Sequence, residues 1–168
     1  MLSNIVAVST LVIGVGAGAI IDMRTRRVPN ELTGGLAAAG LVLAALGLTG
    51  VTLWSSVLGL FLALALMLPG HILGATGAGD VKLFAATGAV VGVGLVLPAF
   101  LYTALAGGVI GVIVAVRRRQ LTQTIGRTAT LVASGGANAG EIESPRANNR
   151  FAYAPAIAIG VIIAALRV

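Results

Sequence analysis

The chain has 168 residues, of which 58% are hydrophobic and only 10% are charged, and its formal net charge is +6. The mean hydropathy of +1.05 lies far above that of a soluble domain of this length, so the composition indicates a polytopic integral membrane protein. The chain has no cysteine and a single histidine. This excludes disulfides, thiolate catalysis and zinc sites built from cysteines or clustered histidines.

The apolar segments predict an all-α membrane protein with about six transmembrane helices. A helix of about 20 residues crosses a bilayer, and a shorter one is accommodated by thinning of the bilayer. The fourth segment is short. It either forms a half-depth helix bounded by Gly92-Val93-Gly94 or continues into the fifth segment as far as Pro98. The six segments cover residues 3–21, 32–49, 52–72, 81–91, 94–116 and 151–166.

Glycines spaced four residues apart predict close packing between these helices, because small residues allow helix backbones to approach each other. The pairs are Gly14 with Gly18, Gly88 with Gly92, and Gly107 with Gly111.

The positive charges predict the orientation in the membrane. With the N-terminus outside, six crossings put ten of the eleven Lys and Arg residues in the cytoplasm and leave only Arg167 outside. The outer turns near Gly50 and Gly92 carry no charge, and Trp54 lies at the outer interface. The basic residues therefore determine topology. They lie at helix ends without stacking aromatic residues, which argues against nucleic-acid binding.

Residues 1–168 are predicted to form a single integral membrane domain. Residues 117–150 are its one long polar stretch and are interpreted as a cytoplasmic loop. The first apolar segment is predicted to be retained as a span, since its basic residues follow it, whereas a secretory signal carries them in front.

Asp22 and Asp80 are the candidate functional residues among only five carboxylates. Asp22 follows the apolar run 5–21, and Asp80 closes the turn Gly77-Ala78-Gly79-Asp80 and begins a helix. An acidic residue at membrane depth is a functional-site hypothesis, and both acids emerge at the cytoplasmic face. Two carboxylates that share a proton can act as base and acid in peptide hydrolysis. Pro29 is predicted to start the second helix.

Other interpretations of these residues stay open at this point. Asp80 can be a helix N-cap, and Asp22 can balance the arginines that follow it. Membrane carboxylates also serve transport. Lys82 is either a lysine that extends its ammonium to the interface or a residue of the site. His71 is interpreted as an interfacial or packing residue in preference to a ligand.

Three stretches of the sequence resemble the type IV prepilin peptidase family, a family of aspartic membrane proteases. The stretch 77–83, Gly-Ala-Gly-Asp-Val-Lys-Leu, resembles the family's GxGDxKL element. Asp22, followed by Val28-Pro29-Asn30, is similar to the family's first catalytic segment. The stretch 153–160 is similar to the start of the family's last helix, with Ala152 and Ala154 where Pro and Gly are usual.

The resemblance implies a membrane-embedded aspartic endopeptidase that removes the leader of prepilins or pseudopilins at the cytoplasmic face of the inner membrane. It implies that Asp22 and Asp80 are the catalytic pair, that Gly77 and Gly79 shape the approach of the substrate, and that Lys82 is a further substrate-binding candidate. No metal or organic cofactor is implied.

The chain lacks cysteines and has no room for the extra cytoplasmic domain of the large bifunctional members. It resembles the short, peptidase-only members associated with Tad-type (Flp) pili.

Two other functions are alternatives to this interpretation. A small carboxylate-dependent transporter also places Asp residues at membrane depth, but paired repeats and helices interrupted in mid-membrane are typical of transporters. A catalytically silent subunit of a pilus or secretion assembly keeps the fold and loses an acid.

Overall fold

The computed structural model describes residues 2–117 and 153–166, and all regular structure in these two ranges is helical. The predicted all-α class is therefore confirmed. The helices are α1 (Leu2–Thr25), α2 (Asn30–Ala45), α3 (Leu53–Ile72), α4 (Ala78–Val91), α5 (Val93–Arg117) and α6 (Ala154–Ala165).

In the described ranges, three helices are long and apolar enough to cross a bilayer, as in a multi-pass membrane protein. The spans run over Asn4–Thr25, Leu53–Ile72 and Val93–Val114, and α2 and α6 are shorter apolar helices. Helix α4 has 14 residues. At 1.5 Å per residue it extends roughly 21 Å, which is less than the hydrocarbon thickness of about 30 Å.

Helix α4 forms the centre of the bundle. Eleven of its 14 residues are buried, and it contacts all five other helices. Phe84, the largest fully buried side chain in residues 2–117 and 153–166, meets the ring of Phe100 in α5 edge-on, with the ring centroids 6.0 Å apart. An amphipathic helix would expose one polar stripe along its length, whereas every residue of α4 after Lys82 is buried because protein surrounds it.

Glycines bring α3 against α4 at backbone distance, as the predicted glycine packing requires. A β-carbon on Gly59 of α3 would overlap the carbonyl oxygen of Gly88, and the reverse holds for Gly88. The buried Ser56 hydroxyl donates a hydrogen bond to the Ala89 carbonyl in the same contact. Of the six paired glycines named above, Gly111 has no neighbour from another helix of the described ranges within 4 Å of where its β-carbon would lie.

The break between α4 and α5 decides between the two predictions for the fourth segment. Gly92 has a φ of 74°, in the left-handed region that favours glycine, and it ends α4 after Val91. The Val93 amide then donates to Ser55 Oγ at 3.2 Å as α5 begins. Pro98 lies inside α5 and does not end it. The fourth segment is therefore a separate short helix.

The helix bounds differ from the predicted segments by up to four residues, and the difference that concerns the candidate site lies near Asp22. Helix α1 continues to Thr25, and Arg26 follows with a left-handed φ of 56°. Asp22 thus lies in the last turn of α1 instead of beyond its end. Pro29 is the N-cap of α2, which begins at Asn30. Beyond Arg117, the predicted loop 117–150 lies outside the described residues.

We expect Gly40→Ala in α2 to lower the free energy of unfolding by about 1–3 kcal/mol, the usual range for overpacking. The new β-carbon would lie 2.9 Å from the Ala89 carbonyl carbon and the Val90 nitrogen, and backbone atoms cannot move aside as a flexible side chain can. Thermal unfolding in detergent measures the effect.

Gly35→Ala is the matched control, because it makes the same change in the same helix and no atom of the described residues lies within 4 Å of the new carbon. It should leave stability unchanged or raise it by up to about 1 kcal/mol through helix propensity. Equal melting temperatures for the two variants would contradict the packing of α2 on α4.

Candidate active site

The end of α1 and the start of α4 lie against each other. A β-carbon on Gly18 of α1 would lie 3.0 Å from Leu83 Cδ2 of α4, so these residues form the helix contact. Asp22 is one turn after Gly18, and Asp80 is one turn before Leu83. Both carboxylates therefore lie one turn from the same contact, towards the same end of the bundle.

Asp22 is almost completely buried, with 6% of its surface exposed. Its Oδ2 atom accepts a hydrogen bond of 3.4 Å from the backbone amide of Ala154. Ala154 is the first residue of α6, where backbone amides have no partner within the helix. The start of α6 thus provides a donor for the carboxylate that ends α1.

Asp80 is also buried, and its two oxygens have different surroundings. Oδ2 accepts a hydrogen bond of 3.2 Å from the Gly77 amide, so the side chain caps its own helix from the third position. Oδ1 is buried without a hydrogen-bond partner within the described residues. Capping alone explains Oδ2 and leaves Oδ1 unexplained, since buried polar atoms are normally bonded.

The electrostatics at Asp80 link the two acids. Burial raises the pKa of Asp80 to about 6, the negative charge of Asp22 adds to the increase, and the Gly77 amide opposes it. One carboxylate near another holds its proton more tightly, because two negative charges in a desolvated site repel each other. The arrangement therefore favours a pair that carries one proton up to a pH of about 6.

We expect Asp22→Asn to lower the pKa of Asp80, because the substitution removes the neighbouring negative charge and keeps the side-chain size. The chain has only two aspartates. Carbon-13 labelling of aspartate carboxyls therefore leaves one signal in the variant, and its NMR titration gives the pKa. In Glu31→Gln, a change at an exposed acid, the Asp80 titration should stay where it is. An unchanged Asp80 pKa in Asp22→Asn would contradict the coupling.

Tyr153 and the Ala154 amide complete this end of the site. Tyr153 is half-buried, and burial together with the charge of Asp80 raises its pKa. Its ring lies over Gly107 of α5, where any side chain would overlap it. The sequence indicated that a helix begins near Tyr153, but it gave no sign that the following backbone amide contacts Asp22.

The three predicted substrate-binding residues, Gly77, Gly79 and Lys82, each contact a different part of the structure. A β-carbon on Gly79 would lie 3.2 Å from Val28 Cβ and 3.4 Å from the Val28 nitrogen, in the linker between α1 and α2. A β-carbon on Gly77 would lie 3.1 Å from Asp80 Oδ2. Glycine is therefore favoured at both positions because a side chain has little room there, and not because the backbone is left-handed. Lys82 is exposed, and its Nζ donates to Asn30 Oδ1 at 3.0 Å, so it ties α4 to α2.

Within the described residues, no group of three or more His, Cys, Asp and Glu side chains is placed to hold a metal ion.

One comparison with known proteins gives a match. The family model of the type IV leader peptidase family matches residues 9–112. No curated protein and no solved structure matches the chain significantly. The matched residues make up more than half of the chain and include Asp22, Asp80 and the glycine turn between α3 and α4. The chain therefore belongs to the type IV leader peptidase family.

Proposed function

We propose that this protein is a membrane-embedded aspartic endopeptidase that removes the leader from prepilins or pseudopilins, with Asp22 and Asp80 as its catalytic pair. Its family supports a leader-peptidase-like protease. The observation that carries the finer proposal is the pair of buried carboxylates at one end of α1 and α4, with Asp80 Oδ1 free of any described partner.

The two carboxylates have the surroundings that acid–base hydrolysis requires. Asp80 carries the shared proton on its free Oδ1, since burial raises its pKa to about 6. Asp22 is the ionised partner, and it accepts a hydrogen bond from the Ala154 amide. It takes a proton from water as the water oxygen attacks the scissile carbonyl carbon, while Asp80 donates its proton to the carbonyl oxygen.

The resulting diol collapses in the second step. The C–N bond breaks, the proton on Asp22 passes to the leaving nitrogen, and a diol proton returns to Asp80. The products are a carboxylic acid at the end of the leader and a free amine on the mature pilin. The pair is then back in its starting protonation state.

The charge distribution supports an active site at the cytoplasmic face of the inner membrane. The exposed residues Arg24, Arg26, Arg27 and Lys82 lie at the same end as the carboxylates. The opposite end holds the uncharged turn at Gly92 and Trp54, which is 77% exposed. Basic residues stay in the cytoplasm, and exposed tryptophans are common at interfaces.

A prepilin has a matching arrangement, because its basic leader stays in the cytoplasm and its apolar helix lies in the bilayer. The cut between them falls at the boundary at which Asp22 and Asp80 lie in this topology. We further propose that residues 1–168 form one peptidase domain, like the short, Tad-type members that the sequence resembles.

The two alternatives lack a specific observation in their favour. A transporter would need its acids nearer the middle of the membrane, whereas Asp22 lies in the last turn of α1 and Asp80 in the first turn of α4. A silent assembly subunit would not need two buried carboxylates within electrostatic reach of each other.

Reporter fusions test the proposed orientation. Fusions at residues 24–30 and 75–80 should report the cytoplasm, and fusions near Gly50 and at the N-terminus should report the outside, because the basic residues favour this arrangement. The matched pair of fusions at Arg27 and Gly50, at opposite ends of α2, controls for expression. A cytoplasmic signal at Gly50 would contradict the orientation.

Co-expression with candidate prepilins tests the activity itself. The mass of the pilin should fall by that of its leader when the wild-type chain is present. No loss of the leader from any type IV prepilin or pseudopilin would count against the proposal.

A further inference from the structure

His71 lies in the last turn of α3, outside the pair of acids, and its ring reaches the loop that leads to Asp80. Its Nδ1 is 3.0 Å from the carbonyl oxygen of Thr76. A carbonyl oxygen only accepts hydrogen bonds, so Nδ1 must carry the hydrogen in this contact. The geometry therefore fixes the tautomer of a neutral His71 as the Nδ1–H form.

The Thr76 carbonyl belongs to the same peptide group as the Gly77 amide. That amide donates to Asp80 Oδ2 at 3.2 Å. His71 therefore connects to the Asp80 carboxylate through two hydrogen bonds and one rigid peptide plane. A donor on the carbonyl oxygen polarises the amide and makes its N–H a stronger donor.

Backbone bonds hold the rest of this loop against the end of α3. The Gly70 carbonyl accepts hydrogen bonds from the amides of Ala75 at 2.8 Å and Thr76 at 3.2 Å. The His71 carbonyl accepts one from the Gly74 amide at 3.0 Å. These bonds fix the path of the loop as far as Thr76. Two bonds hold the next peptide, from Thr76 to Gly77: its carbonyl accepts the bond from His71, and its amide donates to Asp80 Oδ2.

We propose that His71 is a positioning residue for Asp80: it holds and polarises the Thr76–Gly77 peptide so that the Gly77 amide engages Oδ2 and Oδ1 stays free for substrate. This inference rests on the proposed function for the role of Asp80, while the relay itself is a property of the fold. A histidine that only capped α3 would bond to the carbonyls of that helix, whereas the His71 ring bonds to a residue beyond it.

The relay predicts a direction for the pKa of Asp80. The Gly77 amide lowers that pKa, so a weaker amide donor should raise it. Among the described residues, Asp22 from α1 and Tyr153 before α6 are the ionisable groups whose charges interact with Asp80. Towards α2, the ammonium of Lys82 donates a hydrogen bond to Asn30, and Glu31 of α2 is exposed. These groups are the same in every His71 variant.

The unaltered protein provides the first test, because the chain has a single histidine. Nitrogen-15 labelling of histidine in the full chain in lipid vesicles gives one pair of ring signals. Above the pH at which the ring loses its proton, the spectrum should be that of the Nδ1–H tautomer. The Nε2–H tautomer, which is favoured by a free imidazole, would overturn the inference without affecting the proposed protease function.

Two variants provide the second test. His71→Leu removes the donor, and His71→Asn keeps a side-chain N–H near the position of Nδ1. In His71→Leu, kcat for prepilin cleavage should fall roughly three- to tenfold, as expected for one lost hydrogen bond. The alkaline limb of its pH profile and the Asp80 carboxyl titration should both move to higher pH. His71→Asn should restore both values.

The carboxyl titration needs no substrate, so it judges the relay even if no prepilin is cleaved. An Asp80 titration that is identical in wild type, His71→Leu and His71→Asn would overturn the relay. If His71→Leu does not fold, the tautomer of the wild-type ring decides the question.

Discussion

Asp22→Asn and Asp80→Asn should each reduce leader cleavage by on the order of 10³-fold or more, the scale of a lost acid–base group. The amide is nearly the same size as the carboxylate, but it can neither accept the proton from water nor share it. The double variant should be no worse than either single variant, because the two acids act as one unit. Cleavage of a co-expressed prepilin measures the loss, and membrane insertion should be unchanged.

Glu31→Gln is the matched control for these substitutions. It neutralises an exposed carboxylate in the first turn of α2 and should leave cleavage unchanged. Asp→Glu at position 22 or 80 should also fail, because an extra methylene moves the carboxylate by ~1 Å. Near wild-type cleavage by Asp22→Asn would show that the paired-acid mechanism is wrong.

Gly79→Val should reduce cleavage at least roughly 100-fold, the cost of a misplacement of about 1 Å at a catalytic group. Even a β-carbon at Gly79 would lie 3.2 Å from Val28 Cβ, and valine adds two methyl groups to it. The first turn of α4 must then move away from the α1–α2 linker and carry Asp80 with it. Processing of one prepilin by the variant measures the effect.

Ala78→Val is the control for Gly79→Val. It adds the same two methyl groups at the neighbouring residue, which is exposed, and should keep cleavage near the wild-type rate. If both variants cleave normally, the close approach of Gly79 to Val28 is not needed for catalysis.

The sequence predicted the helices well because most of the apolar runs are long and bounded by turn residues. It left the fourth segment open, because the tolerance of a helix for Pro98 and the left-handed φ of Gly92 depend on tertiary contacts. It placed Asp22 beyond the end of α1, whereas the helix continues past Asp22 to Thr25. Residue type alone does not specify such an end.

The two acids were predictable from their position at the ends of apolar runs, but their partners were not. The bond from the Ala154 amide to Asp22 joins residues 132 positions apart, and only the packing of α6 on α1 creates it. The bond from Lys82 to Asn30 likewise depends on where α2 begins relative to α4. Sequence patterns indicate which side chains can be catalytic. They carry little information on hydrogen bonds between residues far apart in the chain.

The most direct test of the central claim is the cleavage of a purified prepilin by this chain in lipid vesicles, followed by intact-mass measurement of both products. Wild type should give one cut, between the basic leader and the apolar helix, and both Asp22→Asn and Asp80→Asn should give none. A cut at the same place by either variant, or no cut by the wild type with any type IV prepilin, would contradict the account.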